Sequence, residues 1–156
     1  MIVIPASQSG FQTFVTTVMG IPTTALAVND PVIAMAYNIA VDIVNSDLLA
    51  IPDLYALAVY NLAASNVINY AQDIPNGPTN NEGLLYFAAL RKQWGLNSFS
   101  PGLVQSTSDG GTSSSMALPN WTSGLTLSDL QLLNDPYGRR YLAIAQKVGP
   151  SLWGMS

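Results

Sequence analysis

The chain has 156 residues, enough for one domain with a substantial core, and 49% of them are hydrophobic while 9% are charged. The absence of histidine and cysteine removes the commonest general base, thiolate nucleophiles, disulfides and sulfur metal sites, and a net charge of -4 argues against a dedicated nucleic-acid binder. All five basic residues, Arg91, Lys92, Arg139, Arg140 and Lys147, follow Leu90, and a surface this poor in charge is expected to face other copies or other proteins.

Phe11, Phe14, Val15 and Val18 share one face of a short first helix, with Ser9 as its expected cap and Gly20 and Pro22 ending it. Asp30-Pro31 starts a second helix running to Val44 or Asn45, because Asp satisfies free amides and Pro fits the first helical position. Asn38, Asp42 and Asn45 form a narrow polar stripe on it. A helix apolar on all other sides is expected to be buried. Pro52-Asp53 opens a third helix to about Gln72. There Asn61, Ser65, Asn69 and Gln72 line up, read as a solvated edge or as amide stripes meeting a neighbour. Ala40→Glu or Ala58→Lys, whichever faces outward, is expected to abolish assembly while leaving the helices intact.

Residues 74–81 carry loop chemistry. A fourth helix is expected from Glu82 to Trp94, with Glu82 at its positive end, Arg91 and Lys92 at its negative end, and Gly95 as the stop. Residues 96–124 read as an extended arm-like loop or short hairpin around a Ser/Gly-rich centre, Gln105 to Ser115, expected to be mobile in the free subunit. Leu103, Val104, Met116 and Leu118 flank that centre and are expected to anchor it on another chain. Thr126 to Asp129 resembles a capping box for a short helix to about Leu133. Asp135-Pro136 starts the final helix, with Tyr137, Tyr141, Ile144, Ala145 and Val148 on one face and Arg139, Arg140, Gln146 and Lys147 on the other. An apolar tail bearing Trp153 follows.

Catalytic and metal constellations are missing. Asp42, Asp47 and Asp53 form no D-x-D pair or calcium loop, and Asp53 suits the first turn of a helix. Ser98, Ser100 and Ser113 to Ser115 have no histidine or lysine motif to activate them, and Gly110-Gly111 lacks the following Lys of a phosphate loop. Arg139 and Arg140 diverge by roughly 100° on a helix, which fits a solvated face or a salt bridge to a neighbouring subunit better than a phosphate grip. No cofactor and no metal are expected. The apolar runs fall short of the roughly 18–20 residues of a spanning helix, and the N-terminus has no basic region of a signal peptide. A protein made in the cytoplasm, without a membrane partner, is expected.

Four segments carry a resemblance: Val18-Met-Gly-Ile-Pro-Thr-Thr-Ala-Leu26, Asp30 to Asn45, Leu57-Ala-Val-Tyr-Asn-Leu62 and Pro136 to Gln146. Together they look like small structural proteins encoded in tailed-bacteriophage morphogenesis clusters, over most of the chain. Proteins of this size and helical type there resemble head-to-tail adaptors, or connectors. The resemblance implies a homo-oligomeric ring in the head-tail neck of the virion. It would dock on the portal protein and receive a tail or nozzle protein, with DNA at most passing through the channel. It implies no catalytic residue.

The expectation is therefore an all-α single domain, residues 1–156, of four to five helices with an arm-like loop or short hairpin. Its expected role is non-enzymatic virion assembly through an interface including Leu103, Val104, Met116, Leu118, Arg139, Arg140 and Trp153. The alternative from another class is a small helical ligand-binding module or enzyme with a pocket between the 31–45 and 53–72 helices.

Overall fold

The computed structural model describes residues 5–98, 106–109, 112–115 and 131–148. Among them the chain is all-helical but for one short ribbon. The order is α1 (Gln8–Thr17), α2 (Pro31–Ile43), a 3-10 turn (Ser46–Ala50), α3 (Pro52–Tyr70), α4 (Tyr86–Gln93), a 3-10 turn (Leu96–Ser98), β1 (Ser106–Asp109), β2 (Thr112–Ser115) and α5 (Pro136–Val148). The strands pair antiparallel from Ser106 opposite Ser115 to Asp109 opposite Thr112. These strands lie within the Ser/Gly-rich stretch for which an arm-like loop or short hairpin was expected.

Helix α3 is the hub. It packs against α2 on one side and α5 on another, with further contacts to α1 and α4. Ala58, Val59, Leu62, Ala63, Ala64, Val67 and Ile68 are buried round much of its circumference, so it shows little amphipathicity. Its alanines let neighbouring helices approach closely. Around its N-terminal half an aromatic cluster joins four helices. Phe11 lies 6.2 Å from Tyr37 and 5.9 Å from Tyr60, and Phe14 lies 6.2 Å from Tyr137 between ring centres. Tyr60 also fixes the start of the chain: its hydroxyl accepts from the Ser7 amide at 3.1 Å and donates to the Ser7 carbonyl at 3.3 Å. Gly10 sits so close that a Cβ there would fall 2.2 Å from the Tyr60 oxygen. Ser7 rather than Ser9 caps α1, accepting from the Gly10 amide at 3.0 Å.

Two expectations about α2 and α3 reverse. α2 buries the seam Ile33, Ala36, Ala40 and, just beyond its end, Val44, but leaves Met35, Ile39 and Ile43 exposed. On α3 the first half of the polar line goes inward, with Asn61 and Ser65 each 1% exposed, while Asn69 and Gln72 at its far end are exposed. Ala40 and Ala58 are both fully buried, so neither substitution at them probes a surface.

The α3–α4 connection is tied by an exchange of caps. Asp73, three residues past α3, accepts from the Phe87 amide at 2.7 Å and the Ala88 amide at 2.9 Å, satisfying the start of α4. In return Arg91 on α4 donates to the Ile68 carbonyl at 2.8 Å and to the Ala71 carbonyl, closing the end of α3. Helix α4 therefore starts at Tyr86, not Glu82. Arg91 serves the end of another helix rather than its own. Glu82 instead pairs with Lys92 at 2.7 Å in solvent. Gly95, at φ 68°, reverses the chain after α4 in the left-handed region that glycine enters without strain.

Candidate interaction surface

The stretch that links α2 to α3, the α2–α3 corner, carries several exposed bulky apolar side chains. Ile43, Leu49, Ile51 and Leu57 lie within fifteen residues of sequence and are each 45–55% exposed. Their placement follows from local sequence. Val44 and Leu48 turn inward and are buried, and Asn45 accepts from the Asp47 amide at 2.9 Å to start the 3-10 turn. That turn leaves its remaining apolar side chains outside. Asp42, Asp47 and Asp53, all exposed, lie in the same stretch of chain, on α2, the 3-10 turn and the first turn of α3. None has an ion pair among the described residues, where the Glu82–Lys92 bridge lies elsewhere. Exposed apolar side chains interleaved with carboxylates along one stretch suit a protein interface.

A second feature is a groove of about 560 Å³ formed by α2, α3, α5 and the segment before α5. Ile39, Ile43, Leu62 and Leu132 give it an apolar lining, and Asn66, Asn69 and Asn134 supply amides. The Nδ2 of Asn66 is buried without a hydrogen-bond partner among the described residues, as is the Oδ1 of Asn61 nearby on α3. Asn61 spends its Nδ2 on the Leu57 carbonyl at 2.7 Å.

Beneath this groove lies the buried Asp135. Its carboxylate accepts from Ser65 Oγ at 2.6 Å and from the Gly138 amide at 2.7 Å, with Asn69 Nδ2 at 3.5 Å. It caps α5 and ties it to α3 in one contact. Gly138 is required there, because a Cβ would fall 2.2 Å from the Leu132 carbonyl oxygen. This arrangement is a helix start with a buried acceptor. It offers no nucleophile.

Of the residues expected at an interface, Arg139 and Arg140 are exposed on the outer face of α5. The Arg140 guanidinium stands 6.0 Å from the centre of the Tyr137 ring. Leu103, Val104, Met116, Leu118 and Trp153 lie outside the described residues, as does most of the expected 126–133 helix. The corner residues Leu49, Ile51 and Leu57 escaped sequence reasoning. The signal was present: bulky apolar residues interleaved with Asp42, Asp47 and Asp53.

Burial raises the phenols of Tyr37, Tyr86 and Tyr137, and for Tyr137 the adjacent Arg140 opposes the shift. These tyrosines stay neutral at physiological pH. Burial lowers the Arg91 pKa and the neighbouring Asp73 opposes that, which suits a structural cation. Among the described residues no group of three or more His, Cys, Asp or Glu side chains is placed to hold a metal ion. No described helix is long and apolar enough to cross a membrane. No family model matches the chain, and neither curated proteins nor solved structures yield a match.

Proposed function

We propose that this chain is a non-enzymatic virion assembly subunit, an adaptor whose copies form a ring between the portal and the tail or nozzle. The observation that carries the assembly part of this reading is the α2–α3 corner: four half-exposed bulky apolar side chains interleaved with three exposed carboxylates that have no ion pair among the described residues. A free subunit gains by covering such a patch, at about 25 cal/mol per Å² of apolar area removed from water. The phage station rests on the resemblance of the segments named above. The test is co-sedimentation with assembled portal rings of a related phage, alongside light scattering of the chain alone. Saturable, stoichiometric binding to the portal is expected. A chain that ignores portals removes the adaptor reading.

The groove favours a second reading, a binding module for a small neutral ligand. Its apolar lining and amides, with Asn66 Nδ2 unpartnered, suit an uncharged molecule bearing a carbonyl. A monomer whose melting temperature rises with such a ligand, and which does not bind a portal, supports that module instead.

A further inference from the structure

We infer that the acidic, apolar α2–α3 corner of one copy docks on the basic outer face of α5 of the next copy. This rests on the proposed assembly role and names the two surfaces that meet.

Among the described residues the exposed, unpaired charges fall into two groups. Of the five basic residues, Arg91 is consumed in capping α3 and Lys92 is paired with Glu82. The other three, Arg139, Arg140 and Lys147, are exposed on α5, and none has an ion pair among the described residues. The exposed carboxylates Asp42, Asp47 and Asp53 gather at the α2–α3 corner. The two groups do not pair with each other within one copy. Opposite charges left unpaired on two surfaces of the same molecule are complementary between molecules.

The apolar chemistry agrees. The exposed face of α5 is Arg139, Arg140, Ala143, Gln146 and Lys147. Its long side chains carry aliphatic stems that can lie on Leu49 and Ile51 while their charged ends reach the rim. Arg139 and Arg140 diverge on the helix, and two acids on separate elements, Asp42 on α2 and Asp47 on the 3-10 turn, match that divergence better than one. Because the two surfaces differ, the contact is heterologous. It repeats copy after copy, closing into a ring or continuing as a chain.

The experiment uses two double variants of the full chain. Arg139→Glu with Arg140→Glu turns the α5 face acidic, and Asp42→Lys with Asp47→Lys turns the corner basic. Asp53 is left alone because it also supports the free amides at the start of α3. Both variants change exposed side chains, and circular dichroism checks that the helices persist. By sedimentation velocity the wild type is expected to self-associate, less so as salt shortens the screening length. Each variant alone is expected to associate about tenfold more weakly, a shift ordinary for close charge pairs. An equimolar mixture regains association, since every unlike contact is then complementary. A mixture no better than its components, or variants that associate like the wild type, overturns the assignment of these faces but leaves the adaptor reading standing. Self-association that follows the charge swap without any binding to portals removes the adaptor reading and keeps the interface. A wild type that stays monomeric at all concentrations overturns the interface.

Discussion

On α3 the first two members of the polar line face inward, where Ser65 meets Asp135 and Asn61 meets the Leu57 carbonyl, and only Asn69 and Gln72 reach solvent. On α2, Met35, Ile39 and Ile43 face outward. Both helices begin at a proline, contain no basic residue and carry one narrow line of polar side chains. Their positions make the difference. α3 is enclosed by α2, α5, α1 and α4, so its small hydroxyl and amide groups are buried and must find acceptors inside. α2 lies at the edge of this packing, its main partner being α3, and a single seam of Ile33, Ala36 and Ala40 meets it. A polar stripe therefore identifies a solvated side only when the helix has one.

The comparison can be broken at four points. The largest effect is expected from Ala40→Glu, which places a carboxylate in the α2–α3 seam. A loss of about 4 kcal/mol, or failure to fold, is expected for an uncompensated buried charge and is read from urea unfolding. Next comes Asp135→Ala, which strands Ser65 Oγ and the Gly138 amide. A loss of about 3 kcal/mol follows from two buried donors without an acceptor. A loss below that of Ser65→Ala would mean that the α3 stripe is not held by this carboxylate. Arg91→Met keeps the aliphatic length but frees the Ile68 and Ala71 carbonyls. It is expected to cost about 2 kcal/mol, with amide hydrogen exchange fastest at the last turn of α3 and the first of α4. Met35→Glu sharpens the contrast from the other side. On an exposed face it is expected to shift stability by no more than about 0.5 kcal/mol. Equal thermal midpoints for Met35→Glu and Ala40→Glu would contradict the outward placement of the α2 stripe.

Local chemistry made the helix starts legible. Asp30-Pro31 and Asp135-Pro136 open α2 and α5 where the sequence places them, and the two faces of α5 follow its periodicity. The failures involve partners far along the chain. Nothing near Glu82 announces that Asp73 caps α4, fourteen residues ahead of the amide it binds. Nothing near Ser65 announces an acceptor seventy residues later. The exposure of Arg139 and Arg140 followed from the period of α5. The exposed carboxylates Asp42, Asp47 and Asp53 fall on a helix end, a 3-10 turn and a helix start, where no single period draws attention to them.

The exchange between Asp73 and Arg91 fastens both ends of residues 74–85. The segment leaves and rejoins the helices at one fastened point, so its own length has little influence on how α3 and α4 meet. Doubling such a loop costs only about 0.6 kcal/mol in closure entropy. Its tip is exposed at Asn76, which adopts φ 61°. A peptide tag or fluorophore-binding sequence spliced there starts from an exposed turn rather than from a packed helix. That gives the assembly a place to be labelled, counted and watched.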